Sequence, residues 1–371
     1  MPHRLRIAYL AHSLRSDWNN GNAHFLRGLM RAMIALGHEV SIFEPCTEWS
    51  IQHLREEEHG ERALRDFAQI YPELPICRYT AANALDPSFW RQALRDCEIV
   101  ILHEWNSPQL AQLLCQIRPK LGYRLLFHDT HHRASSSPEQ IRLFGIEQFD
   151  GVLCFGNALR QIYRDRFGIR QAWTLHEAAD TSVFRPRPGI QKNADVVWIG
   201  NWGDGERSRE IQEFLLQPAA AQSERRFVVY GVRYPEEGIA ALDQAGVRYG
   251  GYLPNLDAGA VYAAARLTVH IPRRQYSAAM PGIPTIRVFE ALACGIPLIS
   301  APWSDTEELF REGDFLFVNN GNQMEQAMRK LLRDERAARE QALRGLETVL
   351  ARHTCRHRAE DLTGICEDLI P

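Results

Sequence analysis

Short apolar runs alternate with amphipathic helical patterns twice along this chain, and no other feature restricts its fold as strongly. In the first half, Arg6–Leu10, Val40 to Phe43, Ile99 to Leu102, Tyr123 to Phe127 and Gly151 to Phe155 have strand length and composition. Helical patterns separate them, the clearest from Ala23 to Leu36 with Gly37 closing it. Strands buried on both faces and joined by helices make parallel, doubly wound sheets. The second half repeats the alternation from Val196–Gly200, through Phe227 to Tyr230, Leu267 to Ile271, Pro297 to Ser300 and Phe315 to Val318. Helical patterns follow over Gln323 to Leu346 and Cys355 to Ile370. A chain of 371 residues is larger than one hydrophobic core sustains, so two Rossmann-like domains are expected. Thr47 to Leu74 is the least legible region, with Arg55–Glu58 reading as a solvated helical face.

Composition removes several function classes. Hydrophobic residues at 45% and charged residues at 24% are those of an ordinary globular protein. A net charge of −3 carries no basic footprint for nucleic acid. No apolar run reaches the about 18 residues of a membrane span, and the first residues lack the apolar segment of a signal peptide. The eight cysteines are scattered without a Cys-x-x-Cys pair, as small core residues of a reducing compartment are. A cytoplasmic location is expected, with peripheral membrane contact left open.

Between the halves, Asp180-Thr181-Ser182-Val183-Phe184-Arg185-Pro186-Arg187-Pro188-Gly189 reads as an extended connector, since its prolines and glycine end regular structure. Further on, Pro284 to Ser300 reads as a short helix with Pro284 in its first turn, which carries Glu290, closes at Gly295-Ile296-Pro297 and leads into a buried strand. The free N–H groups at such a helix start suit a phosphate. A third segment, Gly200-Asn201-Trp202-Gly203-Asp204-Gly205-Glu206-Arg207, is a glycine-rich turn running into a helix near Arg207. Glycines let the backbone approach a diphosphate, and a guanidinium adds a fork-shaped cation.

Glu290-Ala-Leu-Ala-Cys-Gly-Ile-Pro and Asp-Thr-Ser-Val-Phe-Arg-Pro resemble the segments of group-1 glycosyltransferases of the GT-B fold, the family-4-like enzymes that use nucleotide sugars. The resemblance is strongest from Asp180 to Ser300. It implies an α/β fold of two Rossmann-like doubly wound domains facing a cleft, with the C-terminal helix crossing back to the first. The implied domains are an acceptor domain over 1–180, a donor domain over 190–350 and a returning helix over 351–371. It further implies that Glu290 binds the donor ribose, that Arg207 with the Gly200, Asn201, Gly203 and Gly205 backbone binds the diphosphate, and that Thr285 and Ile286 at the helix start join them. Gly21 falls in the loop after the first strand, and His128 falls where the family has a strand-end histidine that faces the transferred sugar or the acceptor. Catalysis is thus expected from His128 and Arg207.

Two positions depart from the family pattern. Asn201 stands where a second cation is common, and Gly282, eight residues before Glu290, stands where the family has a first glutamate that holds the donor sugar. Arg273, Arg274 and Arg287 are further cations near this corner. The expected reaction moves a hexosyl group from a nucleotide diphosphate sugar to the hydroxyl of a glycan, lipid, protein or small molecule in glycan biosynthesis. No cofactor and no metal are expected, and retention is favoured. Two alternatives are a GT-B sugar epimerase and a non-catalytic sugar-nucleotide binder. A third is a metal-dependent hydrolase using the His128 to His132 cluster, although successive side chains on an extended segment point apart.

Overall fold

The computed structural model describes residues 4–203 and 205–370. They form two α/β units, one of Met1–Asp17, Asn22–Glu177 and Cys355–Pro371, the other of Trp18–Gly21 with Ala178–Thr354. In the first unit, seven strands are β1 (Arg6–Leu10), β2 (Glu39–Pro45), β3 (Ile76–Tyr79), β4 (Ile99–His103), β5 (Arg124–Asp129), β6 (Gly151–Cys154) and β7 (Ala172–Thr174). Every pairing is parallel, in the order β3-β2-β1-β4-β5-β6-β7. In the second unit, six parallel strands run in the order β10-β9-β8-β11-β12-β13. They are β8 (Ala194–Ile199), β9 (Phe227–Tyr230), β10 (Val247–Tyr249), β11 (Ala265–His270), β12 (Leu298–Ser300) and β13 (Leu316–Phe317).

Both sheets reverse strand order beside their first strand, between β1 and β4 and between β8 and β11. Open parallel sheets bind ligands at that point, outside the carboxyl ends of the strands. The apolar runs explain why these strands are central: β4 (Ile-Val-Ile-Leu-His) and β8 (Ala-Asp-Val-Val-Trp-Ile) are buried along their whole length. Val196, Val229, Leu267 and Ile299 from four neighbouring strands pack with Met324 and Met328 of the helix Gly321–Arg333. The C-terminal helix Cys355–Leu369 returns to the first unit. There Thr363 bonds His38 Nε2 at 2.9 Å, and Arg124 Nε donates to the carbonyl of Leu369 at 2.8 Å. No described helix is long and apolar enough to cross a membrane.

Several expectations need correcting. The edge strands β3, β7 and β10 are absent from the sequence reading because edge residues meet solvent and carry no continuous apolar run; Cys77 and Arg78 of β3 are exposed. The single helix expected over Gln323 to Leu346 is two, Gly321–Arg333 and Glu335–Arg352. Asp334 breaks it, its carboxylate accepting from the N–H of Ala337 at 3.0 Å. Thr47 to Leu74 holds two helices, Trp49–Glu56 and Gly60–Ile70. The connector at Asp180 is not simply extended: Asp180 accepts from the N–H and hydroxyl of Ser182 at 3.0 and 2.6 Å, and Phe184 is fully buried. Pro284 lies before the helix Ile286–Ala293 rather than in its first turn, with Thr285 as the flanking residue.

One close approach braces the end of β8. A Cβ on Gly231 would stand 2.1 Å from the carbonyl oxygen of Gly200, a backbone atom that cannot yield without moving the glycine-rich loop. Gly231→Ala is therefore expected to destabilise the second unit by about 1–3 kcal/mol, the usual cost of overpacking. Chemical denaturation of the two proteins measures it, and equal midpoints would contradict this packing.

Candidate active site

In the second unit the chain leaves β8 at Gly200 and turns through Gly203 and Gly205, whose φ angles of 89° and 82° favour residues without a Cβ. The turn is held by Arg207. Its Nε and Nη2 donate to the carbonyl of Asn201 at 3.2 and 2.8 Å, Nη2 also to Asn201 Oδ1 at 2.6 Å, and Nη1 to the carbonyl of Ile271 at 3.3 Å. The guanidinium lies 5.1 Å from the centre of the Trp198 ring. Among the described residues no ion pair involves Arg207, and burial, with Arg273 and Arg287 adding repulsion, pulls its pKa down to about 9. It stays charged at neutral pH. Asn201 is engaged rather than open, for its Nδ2 donates to Asn19 Oδ1 at 2.9 Å.

Arg273 joins this corner, as Nη2 donates to Asn201 Oδ1 at 3.3 Å while Nη1 pairs with Glu206. Arg274 instead pairs with Glu210 at 2.8 Å on the exposed side. The helix after β8 is short, Ser208–Ile211, and continues through one wider turn over Gln212–Leu216 into Gln217–Ala220.

At the end of β11, His270 is buried between two hydroxyls, with Nδ1 2.8 Å from Ser300 Oγ and Nε2 3.0 Å from Thr285 Oγ1. Ser300 spends its proton on the carbonyl of Ala301 at 2.8 Å, so His270 Nδ1 donates and Nε2 accepts from Thr285. Burial and Arg207 bring the imidazole pKa down to about 3, so the ring is neutral. Thr285 therefore does not cap the helix Ile286–Ala293, and Ile286 opens a helix start without a side-chain cap. Sequence reasoning passed over His270, whose one signal was its place at the end of an apolar strand.

Glu290, four residues into that helix, is fully buried and paired with Arg287, and Oε1 accepts from Asn255 Nδ2 at 3.2 Å. Tyr262 lies close enough that the carboxylate, after burial itself, raises the pKa of its hydroxyl. A Cβ on Gly282 would meet Thr306 Oγ1 at 2.7 Å and Glu307 Oε1 at 2.8 Å, so this backbone leaves no room for a side chain where the family has its first glutamate.

In the first unit, register sets His103 of β4 beside His128 of β5. His128 is fully buried, and its Nδ1 is 2.8 Å from the hydroxyl of Tyr9, which is itself fully buried. That hydroxyl has no other acceptor among the described residues, so it donates to Nδ1 and the ring proton of His128 sits on Nε2. Burial lowers the ring's pKa to about 3. His128 is thus a neutral hydrogen-bond donor and is poorly suited to act as a base. The neighbouring side chains diverge: Asp129 accepts from Tyr163 at 2.6 Å, Thr130 from Asn22 at 2.8 Å, and His132 Nδ1 meets Ser136 at 2.9 Å. Among the described residues no group of three or more His, Cys, Asp or Glu side chains is arranged to hold a metal ion. Gly21 groups with the second unit, where a Cβ on it would lie 3.6 Å from Ile286 Cγ2.

Residues 207–364 match the model of the Glycosyl transferase-like family. No curated protein matches the sequence. Solved structures match over nearly the whole chain. HepE of Anabaena with UDP and glucose is 12% identical, with 98% of this chain and 100% of that one covered at a TM-score of 0.70. Sucrose-phosphate synthase from Thermosynechococcus elongatus is 16% identical, with 99% of each chain covered and a TM-score of 0.67. TarM is 10% identical, with 98% and 99% covered and a TM-score of 0.72. Residues 207–364 are thus glycosyl transferase-like in sequence, and the whole chain shares the two-unit α/β fold of these solved glycosyltransferase structures, the GT-B fold.

Proposed function

We propose that this enzyme moves a sugar from a UDP-sugar to an acceptor hydroxyl without a metal ion. The observation that carries the reading is the arginine corner at the ends of β8 and β11, where Arg207 is half-buried and charged with no ion pair among the described residues. Such a corner is short of one anion. A diphosphate fits it, and HepE has been solved with UDP-glucose.

Donor binding belongs to the second domain, 190–350, and acceptor binding to the first, 1–180, with 351–371 returning to it. Gly200, Asn201, Gly203 and Gly205 bring backbone to the diphosphate, Gly21, Thr285 and Ile286 border it, and Glu290 receives the ribose hydroxyls. In the reaction the bond from the anomeric carbon to the diphosphate oxygen breaks, and that oxygen leaves with the electron pair. The acceptor oxygen bonds the anomeric carbon, and its proton passes to the departing phosphate. A fixed guanidinium and backbone N–H groups stabilise the charge that builds on the leaving group. Retention is favoured, because His128 is a neutral donor and a positioning role suits it. The eight free cysteines fit a cytoplasmic enzyme.

A screen of nucleoside diphosphates by thermal shift tests the donor, since a ligand at 100 times its Kd stabilises by about 2.7 kcal/mol. A flat response to UDP and its relatives would sink the reading. Turnover is expected to persist in a strong chelator. Loss on chelation with recovery on adding zinc or magnesium would instead restore the metal-dependent alternative. NMR of the product's anomeric proton decides retention.

A further inference from the structure

Arg207 and Arg273 meet at the Oδ1 of Asn201, yet their guanidinium groups are in different states. An arginine has five N–H donors. Arg207 makes four hydrogen bonds to Asn201 and Ile271, all to the loop and strand end that it braces. It supplies charge but has little left to grip a ligand. Arg273 makes two, one to Asn201 Oδ1 and one to Glu206, and its side chain remains 23% exposed. Glu206 is the carboxylate of the same corner, 24% exposed, and it also accepts from Gln275 Nε2 at 3.0 Å.

We propose that Arg273 is the hand that holds the diphosphate, while Arg207 is the clamp that shapes the loop, and that Glu206 is a built-in competitor for Arg273. This rests on the donor reading above and deepens it, by placing the missing second cation on the segment after β11 rather than in the loop after β8. The physical argument is one of competition. An arriving diphosphate offers more charge and more acceptor oxygens than one carboxylate, so Arg273 exchanges Glu206 for phosphate. Arg273 is paired with Glu206 when the corner is empty and with phosphate when it is filled, while the charge of Arg207 is met only when it is filled. The carboxylate holds the guanidinium near its working position meanwhile, at some cost in affinity.

The competition gives variants of opposite sign. Binding of inorganic pyrophosphate and of UDP to the full chain is measured by calorimetry. Arg273→Gln is expected to weaken both by about tenfold to a hundredfold, the range for losing a hydrogen bond to a charged group, and Arg273→Lys to recover part of it. Glu206→Gln, which keeps the acceptor for Gln275 but removes the charge, is expected to tighten both by about twofold to fivefold. Arg209→Gln, at an exposed cation two residues beyond Arg207, is expected to bind as the parent does. Unchanged affinity in Arg273→Gln overturns the grip, and unchanged or weaker affinity in Glu206→Gln overturns the competition. A parent protein that binds neither probe overturns the donor reading itself, a result that no variant can mimic.

Discussion

Arg207→Lys is expected to fail almost as completely as Arg207→Ala, with kcat/KM down by about two to three orders of magnitude in both, the scale for losing a preorganised donor at a developing charge. Lysine keeps the charge, so a residue acting only through charge would be rescued. The fork is what the loop uses: Nε, Nη1 and Nη2 reach the backbone of Asn201 and of Ile271 at once, and an ammonium on a flexible stem cannot span both. Arg273, whose contacts are fewer, tolerates lysine better. Steady-state kinetics with the donor found by screening makes the comparison. Near-parental activity of Arg207→Lys would show that the clamp is unnecessary.

Glu290→Ala is expected to weaken nucleoside diphosphate binding by about tenfold to a hundredfold, since a carboxylate's hydrogen bonds to hydroxyls contribute about 1.5–3 kcal/mol. It also lowers stability. The carboxylate is fully buried, so its loss removes the hydrogen bond from Asn255 Nδ2 at 3.2 Å and the ion pair with Arg287. Arg287 is 27% exposed and regains water, which limits the damage. Glu290→Gln separates the two effects, since an amide oxygen still accepts from Asn255 while the charge is gone. Calorimetry gives the affinity and thermal melting the stability. Parental UDP affinity in a folded Glu290→Ala protein would remove the residue from the ribose site.

The central strands and the helix that carries Glu290 were legible in the sequence because each depends on a local pattern. Buried parallel strands favour apolar runs, and β1, β4 and β8 have them unbroken over Ile7–Leu10, Ile99–Leu102 and Val196–Ile199. The edge strands β3, β7 and β10 do not and were invisible for that reason, whereas the edge strand β13 lies within the apolar run Phe315 to Val318 and was legible. The glycine-rich loop was legible as a turn, since Gly203 and Gly205 take φ angles that other residues avoid. The state of its side chains was not. Asn201 reads in the sequence as an open donor, whereas folding commits its oxygen to two arginines and its amide to Asn19. His128 reads as a strand-end histidine facing the sugar or the acceptor, and only the Tyr9 hydroxyl, two strands away on β1, fixes it as a donor.

By itself the sequence determined the class of fold, two repeated α/β units with parallel sheets, and the segments proposed here to border the donor. Hydrophobic periodicity and turn chemistry act over a few residues, so they can be read in order along the chain. Tertiary structure decided which charges meet and which protons are where. Arg207 follows β8 and Arg273 follows β11, and these strands lie side by side at the place where the sheet reverses its order. Charge repulsion, burial and hydrogen-bond competition act over a few ångströms of space. They become defined only when distant segments are brought to one strand end.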